Sequence, residues 1–279
     1  AGSHQAQVAS HRRNGEFTVK KMLLLFLSSL LVGCVQERVK TTTTSPLDAP
    51  PAQQADAKRR AQIHTELASG YYERGQLGVA LEELKEALRA DSEYAQAYNV
   101  MGLVYMELRE DADAERNFRR ALSLMPLDSD ANNNYGWFLC QRQREQESIK
   151  YFLAALKNPL YTTPEKSYAN AGICSRRSGN EKVAEAYFQK ALSLRSDQQL
   201  ALYNMADLKF KHAQYSEARS YLVRYMQVTP VPSPESLWLG VRIEHWLGNR
   251  NAKASYAAQL RKRYPDSKET HALNYGQFE

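Results

Sequence analysis

Three cysteines and six histidines are the side chains with the most chemistry to offer. Cys34 has the most telling position. It closes the most hydrophobic stretch of the chain, "LFLSSLLVGCVQE", which turns polar at once. The apolar run from Met22 to Val32 is about half of the roughly 20 residues needed to cross a bilayer. It follows Lys20 and Lys21 and ends on Gly33, just before the thiol. A charged start, a short apolar middle and a small-residue exit describe a secretory signal peptide. A buried core strand is the competing explanation, but the Thr- and Pro-rich residues that follow could not pack it. The chemistry expected at Cys34 is therefore modification of a thiol at the start of the mature chain.

Leu31-Val32-Gly33-Cys34 resembles the bacterial lipobox, in which the cysteine is acylated and becomes the first residue. The expected organisation follows. Residues 1–17 read as tag and cloning residues and 18–33 as the lipoprotein signal peptide. Residues 34–58 form a flexible Thr/Pro-rich tether from lipidated Cys34, too poor in apolar residues to offset the entropy of ordering. Residues 1–33 carry Arg12, Arg13, Lys20 and Lys21 against Glu16, so the net charge of +6 falls to +3 from Cys34 onward. A mature chain so close to neutral argues against nucleic-acid binding.

The remaining candidates do not form a catalytic set. His64, His212, His245 and His271 are scattered, and the chain has no Gly-rich phosphate loop, no His-Glu-x-x-His and no Cys-x-x-Cys. Asp111 and Asp113 read as carboxylates at a helix start, where they favour the positive end of the dipole. The expectation is a non-enzyme with no cofactor, no metal and no small-molecule substrate.

The elements that position these residues are repeats. In "AYNVMGLVYMELREDADAERNFRRALSLMP", Tyr98 is followed by Gly102, Tyr105, Ala114, Phe118, Ala121 and Pro126. This resembles the tetratricopeptide pattern, with Met101 where that pattern has Leu. A small residue recurs at Ala68, Gly102, Gly136, Gly172, Ala206 and Gly240. Ala80, Ala114, Ser148, Ala184, Ala218 and Ala252 keep step with it, each followed four residues later by Leu84, Phe118, Phe152, Phe188, Leu222 and Tyr256. One irregularity, "NPLYTTPEKS", lies between repeats three and four. Gly75, Gly179 and Gly248 mark the ends of first helices, and Pro126, Pro230 and Pro265 those of second helices. The expected fold is all-α: a right-handed superhelix of six tetratricopeptide repeats, about twelve antiparallel helices, over 59–267. Trp238 and Trp246 are expected to pack in the last repeat. The tail 268–279 either frays or caps it.

Repeats of this class bind partners along a concave surface lined by first helices. The residues three before, one after and four after each small residue share one helical face. They place Tyr72, Asn99, Leu103 and Met106 in a candidate groove, with Asn133, Trp137, Ile173 and Phe210 further along. The competing surface is the convex one, with Arg142, Arg144, Arg176 and Arg177. Cys140 lies four after its small residue and Cys174 two after. That difference is about 200° of helical rotation, so the two can face each other from adjacent parallel helices. An oxidising compartment would then join them. Two small buried thiols are the alternative.

The lipobox, tether and six repeats together, including the "TPVPSPESLWLG" that leads into the last repeat, resemble the PilF/PilW family of type IV pilus biogenesis lipoproteins, the pilotins. The resemblance runs from Lys20 to Glu279. It implies a lipid-anchored protein on the periplasmic face of the outer membrane. Its partner would be the type IV pilus secretin, whose outer-membrane localisation and multimerisation it would promote for pilus assembly and twitching motility. The anchor and repeats are equally compatible with an adaptor for β-barrel insertion or cell-wall enzymes. A soluble regulatory scaffold would follow if the apolar start were a core helix.

Overall fold

The structure, a computed structural model, describes residues 50–278. Cys34, the signal segment and the tether up to residue 49 lie outside the described residues. The described residues form helices and no strand. Three pairs come first: α1 (Pro51–Glu73) with α2 (Leu77–Ala90), α3 (Ala95–Glu107) with α4 (Asp111–Leu124), and α5 (Ser129–Gln141) with α6 (Glu145–Ala155). Three more follow: α7 (Pro164–Arg177) with α8 (Glu181–Leu194), α9 (Gln199–Lys211) with α10 (Tyr215–Val228), and α11 (Pro234–Trp246) with α12 (Arg250–Arg263). A short α13 (Lys268–Asn274) closes the stack. The architecture is the all-α tetratricopeptide superhelix, in which each pair buries its apolar face against its neighbours.

The small residue and the aromatic explain each other. A Cβ on Gly172 would stand 2.5 Å from Phe188, and one on Gly102 would stand 2.7 Å from Phe118. No methyl fits, because the ring of the second helix lies flat on the backbone of the first. Phe118, Phe152 and Phe188 are fully buried by this arrangement, and Leu84 is fully buried with Ala68 in repeat one, each worth about 1.5–3 kcal/mol in apolar burial.

Each pair turns through one left-handed residue. Gly75 takes it at φ +71°, and the same position in repeats two, three and five holds Arg109, Gln143 and Ala213 at φ +62°, +61° and +56°. The turn is held by backbone bonds: Gly75 N–H donates to Tyr72 O and Gln76 N–H to Tyr71 O, both at 2.9 Å. Arg109 and Glu110 donate equivalently to Met106 and Tyr105.

Two features depart from expectation, and a third decides between two expected outcomes. The tether expected to reach Lys58 gives way to helix at Pro51. Pro sits at the first helical position, where its missing N–H is harmless, and Ala, Gln, Lys and Arg then favour helix. No residue from Pro51 to Arg60 is buried, so this extension is helical without being packed, and it carries no apolar period. Of the two outcomes expected for the tail, the second holds: Lys268–Asn274 forms a thirteenth helix among the described residues. Leu273, Glu269 and Thr270 are buried, and Thr270 Oγ1 donates to Tyr264 O at 2.7 Å. The tail thus caps the last repeat. The second departure is α6, which has 11 residues where the other second helices have 14, and the extra loop after repeat three begins a turn early.

No helix among the described residues is long and apolar enough to cross a membrane. None of their His, Cys, Asp and Glu side chains cluster as a metal site.

Candidate functional site

The first helices of successive repeats meet along a seam, and the cysteines define it. Cys140 and Cys174 are joined as a disulfide, with Cα atoms 5.8 Å apart. The residue four after the small position in one repeat therefore faces the residue two after it in the next. The same pairing recurs. Tyr72 packs in the cluster of Val104, Met106 in that of Phe138, and Phe210 carries the Arg242 guanidinium 4.2 Å above its ring.

This corrects part of the expected groove. Phe210 is only 7% exposed. It lies in the seam with Ala218, Leu222 and Ile243 and is closed to a partner. Asn99 and Asn133, three before their small residues, are also buried. They join first helices: Asn99 Oδ1 accepts from Asn134 Nδ2 at 3.2 Å. Asn133 Oδ1 accepts from Ser167 Oγ and Asn170 Nδ2, both at 3.0 Å. Tyr72 and Met106 are half-buried at seam edges. Leu103, Trp137 and Ile173, one after the small residue, remain half-exposed on the inner surface.

The residues that complete that surface lie two before and five after the small position, about 40–60° from the one-after position on the helical wheel. Val100, Asn134, Asn170 and Asn204 are half-exposed there, and Glu107, Arg177 and Lys211 are exposed. A signal for them was available. Facing Cys140 toward Cys174 already assigns the four-after position to the seam, which rotates the open face away from it.

The convex arginines are largely engaged. Arg142 Nε donates to Asp111 Oδ2 at 2.6 Å, and Arg144 bonds Glu115 at 3.0 Å and Glu147 at 2.7 Å. The hydrogen bond from Arg142 holds the Asp111 carboxyl below its ordinary value. Burial alone would raise Glu115, but hydrogen bonds from Tyr135 and Arg144 outweigh it and lower that carboxyl. Tyr135, buried beneath this network, is pushed up to about 12. Arg176 faces the other way, bonding Asp207 and, at 3.3 Å, Asn204 Oδ1.

The histidines stay apart: His64 contacts Glu83, His212 contacts Glu181, and His245 stacks on Phe278 at 4.4 Å. Trp238 packs against Phe278, whereas Trp246, expected to pack in the last repeat, is exposed and stacks on Tyr215 of repeat five. The loop after α6 borders an open cleft of ≈ 700 Å³ lined by Met125, Leu127, Leu160 and Tyr161.

A stack of helix pairs with an open inner face defines a tetratricopeptide-repeat scaffold. Tetratricopeptide family models match residues 69–108, 100–161 and 165–198. The type IV pilus assembly protein PilF of Pseudomonas aeruginosa is 31% identical over 262 residues, covering 94% of this chain and 98% of the relative. The crystal structure of PilW, described as a widely conserved type IV pilus biogenesis factor, superposes with a TM-score of 0.69 at 35% identity. That match covers 76% of this chain and 97% of PilW. The solved P. aeruginosa PilF superposes with a TM-score of 0.73 at 29% identity, covering 79% of this chain and 99% of that one. The chain belongs to the PilF/PilW family of tetratricopeptide-repeat proteins.

Proposed function

We propose that this protein is an outer-membrane lipoprotein of the type IV pilus machinery, a pilotin. Acylated Cys34 anchors it at the periplasmic face, and its inner face binds the pilus secretin and promotes secretin localisation and multimerisation. Pilus assembly and twitching motility depend on it. The observation that carries this reading is an apolar strip, Val100, Leu103, Trp137 and Ile173, on the inner face of repeats two to four in a chain of this family. Half-exposed apolar side chains grouped on one surface are candidate anchors, and a few such anchors dominate most interfaces. The lipobox supports the anchor. Two acyl chains or more give stable attachment where one gives only marginal binding.

The test is Leu103→Asp with Trp137→Ala, scored by secretin multimers in the outer-membrane fraction. Helicity and urea unfolding are measured in parallel to exclude loss of fold. The variant abolishes multimers on this reading. Normal multimers in a folded variant would move the binding surface elsewhere. Cys34→Ala is expected to leave the outer-membrane fraction, and its retention there would remove the anchor.

A further inference from the structure

The residues five after the small position are exposed in every repeat. In chain order they are Glu73, Glu107, Gln141, Arg177, Lys211 and His245. Their charge changes sign across repeat three. Glu66, two before in repeat one, adds another exposed carboxylate. Glu66 accepts a hydrogen bond from neutral Gln62 at 2.8 Å. Glu73 and Glu107 form no ion pair among the described residues. At the other end Arg177 touches Glu145 only at 3.8 Å, and Lys211 forms no ion pair among the described residues. Lys166 and Asp130 balance each other between the two ends.

Arg242 marks the basic end most sharply. Its guanidinium lies on the Phe210 ring at 4.2 Å, and its Nε is buried with no hydrogen-bond partner. Asp207, whose charge reaches Arg242, is held by Arg176. A guanidinium taken out of water without a hydrogen-bonded anion is unfavourable. Burial accordingly lowers its pKa, against the opposing pull of Asp207 and Tyr203. The buried Nε is closed to a docking group, but the other two guanidinium nitrogens are neither buried nor hydrogen-bonded among the described residues, and a guanidinium matches a carboxylate in geometry as well as charge, so the group that would complete this site is a carboxylate.

We propose that the inner face takes a partner polypeptide in one direction. The partner's basic end lies over repeats one and two, its apolar middle over Leu103, Trp137 and Ile173, and its acidic end over repeats four to six, where a carboxylate docks on Arg242. This rests on the inner face being the partner site. Neighbouring first helices stand roughly 8–10 Å apart. Repeats one to six thus span roughly 40–50 Å, about 12–15 extended residues. Charges spread along that length steer approach and suppress the reversed orientation.

The test titrates the full chain with hexaglutamate and, separately, hexalysine, observed by amide and arginine Nε–H nuclear magnetic resonance. Hexaglutamate is expected to shift Arg242, Lys211 and Arg177 saturably, and hexalysine Glu66, Glu73 and Glu107. Arg242→Gln is expected to weaken hexaglutamate about tenfold, the loss of one charge-assisted pair, and to leave hexalysine unchanged. Lys211→Glu, at an exposed position that cannot disturb the core, is expected to weaken hexaglutamate as well. Shifts from both peptides at the same residues, shifts confined to the convex surface, or no saturable shift would overturn the proposal. Its failure is separable from failure of the pilotin reading. Unsegregated peptides with secretin multimers still lost in the Leu103/Trp137 variant remove only the direction. Segregated peptides with normal multimers in that variant remove the secretin.

Discussion

The seam between repeats three and four and the seam between repeats five and six occupy the same register and solve different problems. At the first, Cys140 meets Cys174, and both are fully buried in a cluster with Phe152 and Ala171. At the second, the equivalent residues are Phe210 and Arg242, a ring beneath a guanidinium whose Nε has no hydrogen-bond partner. One seam is closed covalently. The other leaves a charge at the border of the inner face. Register thus dictates which residues meet, and the residue types alone decide whether the meeting is closed covalently or leaves a donor without a partner.

The largest effect should come from opening the closed seam. Cys140→Ala with Cys174→Ala releases a loop of 34 residues and should lower stability by about 3–4 kcal/mol, read by urea unfolding with and without reductant. Because repeat stacks gain stability from neighbour to neighbour, the same variant should split one transition into two. A change below about 1 kcal/mol would deny the disulfide its structural weight. If the two seams share a geometry, Phe210→Cys with Arg242→Cys should form a second cross-link on oxidation, detected as the loss of two thiols by mass. Two persistent thiols would break the equivalence. Arg242→Met keeps contact with the ring and removes a desolvated charge. Stability should stay the same or rise by about 1 kcal/mol, and a loss of 2 kcal/mol or more would show that Arg242 is a structural residue. The smallest effects belong to the turns. Arg109→Gly, Gln143→Gly and Ala213→Gly should each add about 0.5–1 kcal/mol by relieving a left-handed conformation, visible as a modest rise in the midpoint of thermal unfolding.

The repeat architecture was legible because it is written redundantly. Six small residues, six partners in the second helix and the rings four residues later report the same geometry. The inner face was legible only in part. Leu103, Trp137 and Ile173 lie where the spacing puts them, whereas Phe210, Asn99 and Asn133 are in the seam. A helical face is a continuous angle, and a span of about 40–60° separates lining from burial. Amphipathic period alone does not mark that border; a known contact such as the cysteine pair does. The start of α1 was missed for another reason. Pro51 to Arg60 has helix-forming residues and nothing to bury, so the apolar pattern that reveals the other helices is missing. Arg109, Gln143 and Ala213 hide their turns because backbone hydrogen bonds impose the conformation that Gly75 adopts without strain.

That unpacked start of α1 has a mechanical consequence. The helix runs 23 residues, and its first buried residue is Ala61. Pro51 to Arg60 is therefore a rod about 15 Å long with no buried residue, extending from the first repeat without a packed neighbour among the described residues. A single unsupported segment of this length is marginal as a helix in water. Sideways load at its tip acts on repeat one with a lever arm. Tension along its axis instead unwinds it, from about 1.5 Å to about 3.4 Å per residue. The segment then lengthens by about 20 Å before any load reaches the core around Ala61, Thr65 and Ala68. Under such tension it would yield before the packed repeats do.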